Sequence, residues 1–286
     1  MKNWIPVLGL FLVSNVSASG EALIVGVQED RPGVFAGEKH KFQIRVLFKK
    51  EDLEWKAFPS HTLSAVDYPL EVNWTIALNG KKLSEEKTKR PVKFEFYSDV
   101  GQHLIENQEA AEKLGQKVGK RSSEFAGFNG ERIYRPLAAI SQPNYQDPEE
   151  WKPGNPPASL LEKAKLAFKT QFAKELGCPE KCQEIEKKIT LASKSYKSKI
   201  GGWVLPMAFP TSTKEDAKEF FSATCLMSPT SAPTFIPGEL KLIEAADFDH
   251  DGKTELLFKL TGYNVGGYVL AYGNSQKTAK FQYNYH

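Results

Sequence analysis

The chain is predicted to be α+β and predominantly antiparallel β, on three observations. Apolar and polar residues alternate along most of the first and last parts of the sequence. Asn79 and Gly80, the dipeptide best suited to a type I′ hairpin turn, directly follow one of those alternating runs. Helical spacing is strong over only one long stretch, between residues 158 and 176.

The chain opens "MKNWIPVLGLFLVSNVSASGEA", one early Lys, an apolar run and then small polar residues. This is the layout of a secretory signal peptide, with cleavage expected after Ala18. The run is too short to cross a bilayer of about 30 Å as a helix, and no later stretch reaches spanning length. An exported protein, periplasmic or secreted and without a transmembrane segment, is expected. Removing residues 1–18 takes away Lys2 and lowers the formal charge from +3 to +2. So small a charge argues against a dedicated nucleic-acid binder.

In residues 19–142, "KFQIRVLF" places Phe42, Ile44, Val46 and Phe48 in alternation, and "VNWTIAL" does the same with Val72, Trp74, Ile76 and Leu78. An N-terminal sandwich-like or partly barrel-like β-domain follows, with Val92, Phe94 and Phe96 as the partner strand after Asn79 and Gly80. A short helix is expected over 108–114, and a strand interrupted at Pro136 in "IYRPLAAIS". Five prolines in "PNYQDPEEWKPGNPP" mark 143–157 as a linker.

The remaining 158–286 reads as a C-terminal α+β domain with one main helix and an antiparallel sheet. Ser159 and Glu162 form a capping-box pattern, and Leu161, Ala164, Phe168, Phe172 and Leu176 fall at helical spacing. The pair "KKITLASKSY" and "GGWVLPMAF" reads as strands, 214–221 as a short helix, and four strands close the chain, the last placing Phe281, Tyr283 and Tyr285 on one face. Three cysteines, Cys178, Cys182 and Cys225, would enter an oxidising compartment, where pairing is favoured, with one left over.

The stretch "DFDHDGKTE" carries the most specific chemistry. Asp247, Asp249, Asp251 and Glu255 take positions 1, 3, 5 and 9, with Gly252 where a tight turn needs freedom from side-chain clashes. Alternate carboxylates in a curled loop converge on one centre, and such hard oxygen donors select Ca²⁺. An EF-hand is excluded, because its position 12 is Phe258 and its flanks are strands. A haloacid-dehalogenase nucleophile loop is disfavoured because Asp251 stands where its Thr belongs.

The stretch resembles the Asp-x-Asp-x-Asp-Gly-x-x-Asp calcium loop of FG-GAP and VCBS-type repeats. That resemblance implies side-chain ligands at Asp247, Asp249, Asp251 and Glu255 and a carbonyl ligand at Lys253. Glu255 replaces the usual Asp, and one copy cannot make a propeller, so the loop is carried over and the propeller is not. More widely, "AFPS", "WTIALNGKKL", "YRPLAAIS", "DPEEW" and "GYNVGGYVL" are similar to uncharacterised exported bacterial proteins, over most of the mature chain. A structural ion is expected, with a dissociation constant of roughly 10⁻⁴ to 10⁻³ M.

Other signals are weaker. "GQKVGKRS" is one residue short for a phosphate loop and has Arg121 at its magnesium-binding position. His40, His61, His103, His250 and His286 lack metal-ligand spacing, and no nucleophile elbow is present. Lys187, Lys188, Lys194, Lys197 and Lys199 suit a solvated strand edge better than a polymer-docking face. Tyr263, Tyr268 and Tyr272 suit cross-strand packing better than a sugar platform. Asn73 opens a glycosylation sequon, doubtful within a strand. These readings lead to a calcium-stabilised protein that binds an extracellular or envelope ligand, such as carbohydrate or an anionic polymer. The alternative is a secreted hydrolase with a structural calcium.

Overall fold

A computed structural model of the chain describes residues 22–31, 40–125, 131–173, 176, 185–210, 220–262 and 264–285. The expected signal peptide, Cys178, Cys182, Tyr263, His286 and most of the helix expected over 214–221 lie outside the described residues. Of that last stretch, Phe220 and Phe221 belong to a strand.

Strands β1 (Ile24–Arg31), β2 (Lys41–Glu51), β3 (Glu54–Ala57), β4 (Glu71–Leu78), β5 (Lys81–Lys89), β6 (Gln102–Ile105) and β7 (Leu137–Ile140) form one antiparallel sheet. Its order is β1-β7-β4-β5-β6-β2-β3, and β1 also pairs with β2. Six strands therefore close into a barrel-like ring, with β3 outside it. Closure leaves the ring without open edges. A ring and a sandwich share one alternation of inward and outward residues, so the sequence pattern alone does not separate them.

The turn at Asn79 and Gly80 forms as expected, with φ of 51° and 69°. It joins β4 to β5, which begins at the next residue, and not to the run containing Val92, Phe94 and Phe96. That expectation is corrected: Phe94 is buried, but Val92 is 96% exposed and Phe96 60%. The true partner, "KKLSEEKTK", is almost wholly polar, so it has no apolar alternation to reveal it. Helix α1 (Gln108–Val118) is one turn longer than expected and is capped by Asn107, which accepts from the Ala110 amide at 3.0 Å.

Beyond β7, short strands β8 (Lys152–Pro153), β9 (Thr190–Leu191) and β10 (Tyr196–Lys197) join β11 (Trp203–Pro210), β12 (Phe220–Met227) and β13 (Thr234–Pro237) in a second sheet. Helix α2 (Ala158–Gln171) packs on it, and a single turn, α3 (Ile185–Lys188), follows. The capping box does not form: Pro157 is the N-cap and Ser159 lies inside the first turn. The proline's fixed φ of −57° starts the helix before Ser159 can cap it. Cys225, on β12, is a free thiol, buried beneath α2 among Phe168 and Leu205.

Strands β14 (Glu239–Ala246), β15 (Glu255–Gly262), β16 (Val265–Tyr272) and β17 (Lys277–Asn284) form an antiparallel meander. Both faces of this sheet are covered. Leu257, Tyr268, Leu270, Phe281 and Tyr283 join the core of the ring, while Leu256, Phe258, Leu260 and Val269 pack toward Val204, Leu226 and Ile236 of the second sheet. This double burial explains why "ELLFKL" and "GYVLAY" are nearly continuous in apolar residues. The largest core thus draws on residues before and after the Pro-rich segment 143–157. That segment is itself tied to the meander, because the Asp247 amide donates to the Gln146 carbonyl at 2.9 Å and the Thr254 hydroxyl to Asp147 at 3.0 Å.

Candidate metal centre

The loop between β14 and β15 holds the acidic cluster. Asp247 directly follows β14, whose last residue, Ala246, pairs with Glu255 at the start of β15, so the two strands bring positions 1 and 9 of the motif together. Asp247, Asp249 and Glu255 each offer one oxygen, and these oxygens lie within 4.8 Å of one another. Asp247 and Glu255 are buried, at 1% and 2% exposure.

Backbone amides set the loop's shape. Asp247 accepts from the amides of Asp251 at 3.1 Å and Gly252 at 2.9 Å, while Glu255 accepts from Phe248 at 2.7 Å. His250 and Gly252 take positive φ, 58° and 85°, which reverses the chain within the loop. Gly252 thereby supplies left-handed backbone, and not relief from a clash, since a Cβ there would meet open space. Asp251 does not join the cluster. It is exposed and accepts from the Lys253 amide at 2.8 Å, with the Lys253 ammonium 3.6 Å from its other oxygen.

Electrostatics follows from this packing. Burial pushes the Glu255 carboxyl up to about 9, reinforced by repulsion from Asp249, Asp247 and Asp251 and opposed by the Phe248 amide. Burial likewise raises Asp247, although the Gly252 amide works the other way. Fully ionised, the cluster would hold more negative charge than its surroundings neutralise, so Glu255 keeps its proton at neutral pH, and a cation among these oxygens would favour its release. The donor set, three hard carboxylates with a further acidic side chain at the rim, fits Ca²⁺ better than a soft metal.

One neutralising group was not legible in the sequence. The Lys50 ammonium of β2 contacts Asp249 Oδ2 directly, with the two side chains only 17% and 5% exposed. No alternation signal pointed to it, because the β1–β2 register skips Leu47, and such a bulge resets which face the following residues take.

Histidines lie elsewhere. His61 is exposed, and His103 is fully buried with neither ring nitrogen hydrogen-bonded. Burial, helped by Arg90, pulls His103 down to about 4. His40 pairs through Nδ1 with Asp30 at 2.8 Å, and its Nε2 lies 3.4 Å from Glu131. Tyr268 and Tyr272 are buried, so they present no open platform. The lysines at 187, 188, 194, 197 and 199 are exposed, with Lys194 and Lys199 paired to Glu124 and Glu150. No helix among the described residues is long and apolar enough to cross a membrane.

A groove of about 350 Å³ runs beside β4 and β5, with a mixed lining that includes Asn73, Trp74, Glu85, Glu86, Lys87 and Pro143. A second cleft, of about 320 Å³, has an apolar floor that includes Phe125, Val204 and Leu242. Neither holds a histidine. Comparison with protein-family models, curated proteins and solved structures found no match.

Proposed function

We propose that this chain is an exported, calcium-stabilised β-rich protein with a non-catalytic binding role at the cell envelope or outside the cell. The observation that carries the calcium part is the convergence of Asp247, Asp249 and Glu255 on a loop between two strands of a sheet buried on both faces. An ion there ties two core strands together, which is a structural task. The binding part is supported by the groove beside β4 and β5, whose amide, hydroxyl and carboxylate groups lie beside Trp74 and Pro143, a mixture that suits carbohydrate, while two carboxylates against the one Lys87 ammonium disfavour an anionic polymer.

Thermal unfolding of the mature protein after chelation, titrated with Ca²⁺ and separately with Mg²⁺, tests the calcium part. A calcium-specific rise in melting temperature, absent in Asp249→Ala, is expected; no shift with either ion overturns it. For the groove, calorimetric titration with soluble oligosaccharides should give heat that Glu86→Ala reduces. A ligand that binds the variant as well as wild type removes the groove from the account.

The hydrolase alternative has one supporting observation, the buried Asp30 carboxylate orienting His40. Turnover of chromogenic esters or glycosides that disappears in His40→Gln would favour it.

A further inference from the structure

We propose that Lys50 is the built-in counter-ion of the acidic loop, and that a divalent cation bound there works against it. The inference rests on the calcium reading for its second half only.

Three features distinguish Lys50 from a surface lysine that happens to meet a carboxylate. Its ammonium is framed by aromatic rings, 5.3 Å from the Trp55 ring centroid and 6.0 Å from that of Tyr272. Both rings are buried, and Tyr272 is itself fixed by its hydroxyl donating to Glu54 at 2.6 Å. Cation–π attraction at such distances holds an ammonium in place without neutralising it. The charge is therefore delivered to Asp249 from the ring, on a strand 199 residues away in sequence.

Counting charge gives the consequence. Asp247, Asp249 and Glu255 supply three carboxylates when ionised, and Lys50 offsets one. The remaining two negative charges match one divalent cation. Lys50 thus keeps the loop partly neutral when no ion is bound, and repels an ion that arrives. It also couples the loop to the ring, because the same ammonium that neutralises Asp249 is anchored on β2 and faces β3 and β16.

Calorimetric titration of the mature chain with CaCl₂, for wild type, Lys50→Met and Lys50→Gln, tests this. Removing a unit charge that touches one of the proposed carboxylate ligands should tighten calcium binding on the order of ten-fold. In chelator, Lys50→Met should melt below wild type, and saturating calcium should close much of that gap. Lys50→Gln retains a hydrogen-bond donor for Asp249 while losing the charge, so it gives the affinity readout should the Met variant fold poorly. Equal or weaker calcium binding in the variants, with wild-type binding intact, would overturn the competition and leave the calcium reading standing.

Absence of calcium heat in every form removes the calcium reading and the competition together. The counter-ion role is then decided by a double-mutant cycle of Lys50→Met and Asp249→Asn, unfolded in chelator. A double variant less destabilised than the sum of the singles upholds it; strict additivity overturns it.

Discussion

Glu29 and Glu255 are buried carboxylates that contact the same meander, and the structure drives them in opposite directions. Around Glu29, burial raises the pKa but is outweighed by Arg45, by Lys259 and by hydrogen bonds from Tyr268 and Arg45, leaving the carboxyl below its ordinary value. Arg45 Nε donates to it at 3.0 Å, and the same guanidinium reaches the carbonyls of Val100 at 2.6 Å and Ser98 at 2.8 Å. Lys259, pulled down to about 8 mainly by burial, donates to the Phe125 carbonyl at 2.6 Å. Around Glu255 the nearest charges are other carboxylates. Burial alone does not decide the state of a carboxylate. Its partners do: Glu29 is held by cations and a tyrosine hydroxyl, whereas Glu255 has one backbone amide and otherwise faces carboxylates.

Breaking the satisfied cluster should have the largest effect. Arg45→Met takes from Glu29 its hydrogen-bonded cation, leaving Tyr268 and Lys259, and deprives two carbonyls of that donor, a loss of about 3–5 kcal/mol in urea unfolding at neutral pH. Adding Glu29→Gln should recover part of that loss. A double variant as unstable as the sum of the singles would mean that Arg45 acts through packing on Tyr283, whose ring centroid lies 4.3 Å from its guanidinium carbon, and not through charge.

His103 sharpens the comparison as a buried group with no hydrogen-bond partner among the described residues, its ring meeting the edge of Tyr68. Its folded-state value of about 4 lies below the ordinary 6.5. Its contribution to stability is therefore present above pH 6.5 and is lost as pH falls toward 4. His103→Leu should abolish that fall, retaining up to about 3 kcal/mol relative to wild type near pH 4. Parallel pH profiles for the two proteins would assign the acid sensitivity to other groups.

A smaller effect is expected at the acidic loop. At ten times the dissociation constant, calcium should add about 1.4 kcal/mol to the wild type. Asp249→Ala should lose most of that increment while the ring stays folded, as read by the ellipticity of its β-structure. An increment preserved in the variant would remove Asp249 from the ligand set and leave Asp247 and Glu255 as an isolated buried pair.

What the sequence revealed and what it concealed divide along a physical line. The acidic loop was legible because its spacing is local, and the meander because four strands with apolar or alternating patterns follow one another in sequence. The turn at Asn79 and Gly80 was legible because left-handed backbone has few residue choices. The polar β5, the closure of β1 on β2 and the reach of Lys50 to Asp249 were not, since each depends on a partner distant in sequence and none leaves a periodic trace. Asp251 shows the converse: the motif's spacing included it, but its hydrogen bond to the Lys253 amide holds it at the surface.

A third buried carboxylate, Glu244, lies between the two extremes and permits the finest test. Its oxygens accept from the Asn79 amide at 2.7 Å and the Gly80 amide at 3.2 Å, so the ring's hairpin turn serves as an anion cradle for the meander. Burial still raises it to about 7, against those amides and Arg135. Its contribution to stability is accordingly full below about 4.5 and is lost as pH rises through 7. Gly80 has φ of +69°, and a Cβ there would lie 3.0 Å from the Asp147 Cβ. Gly80→Ala should cost about 1 kcal/mol through backbone strain at any pH. If the cradle stabilises the ionised carboxylate, the cost should be larger at pH 8, where Glu244 is charged, than at pH 5, where it is protonated. Denaturant unfolding at both values measures the difference; an equal cost would show that the two amides hold the turn's shape and do not stabilise the Glu244 charge.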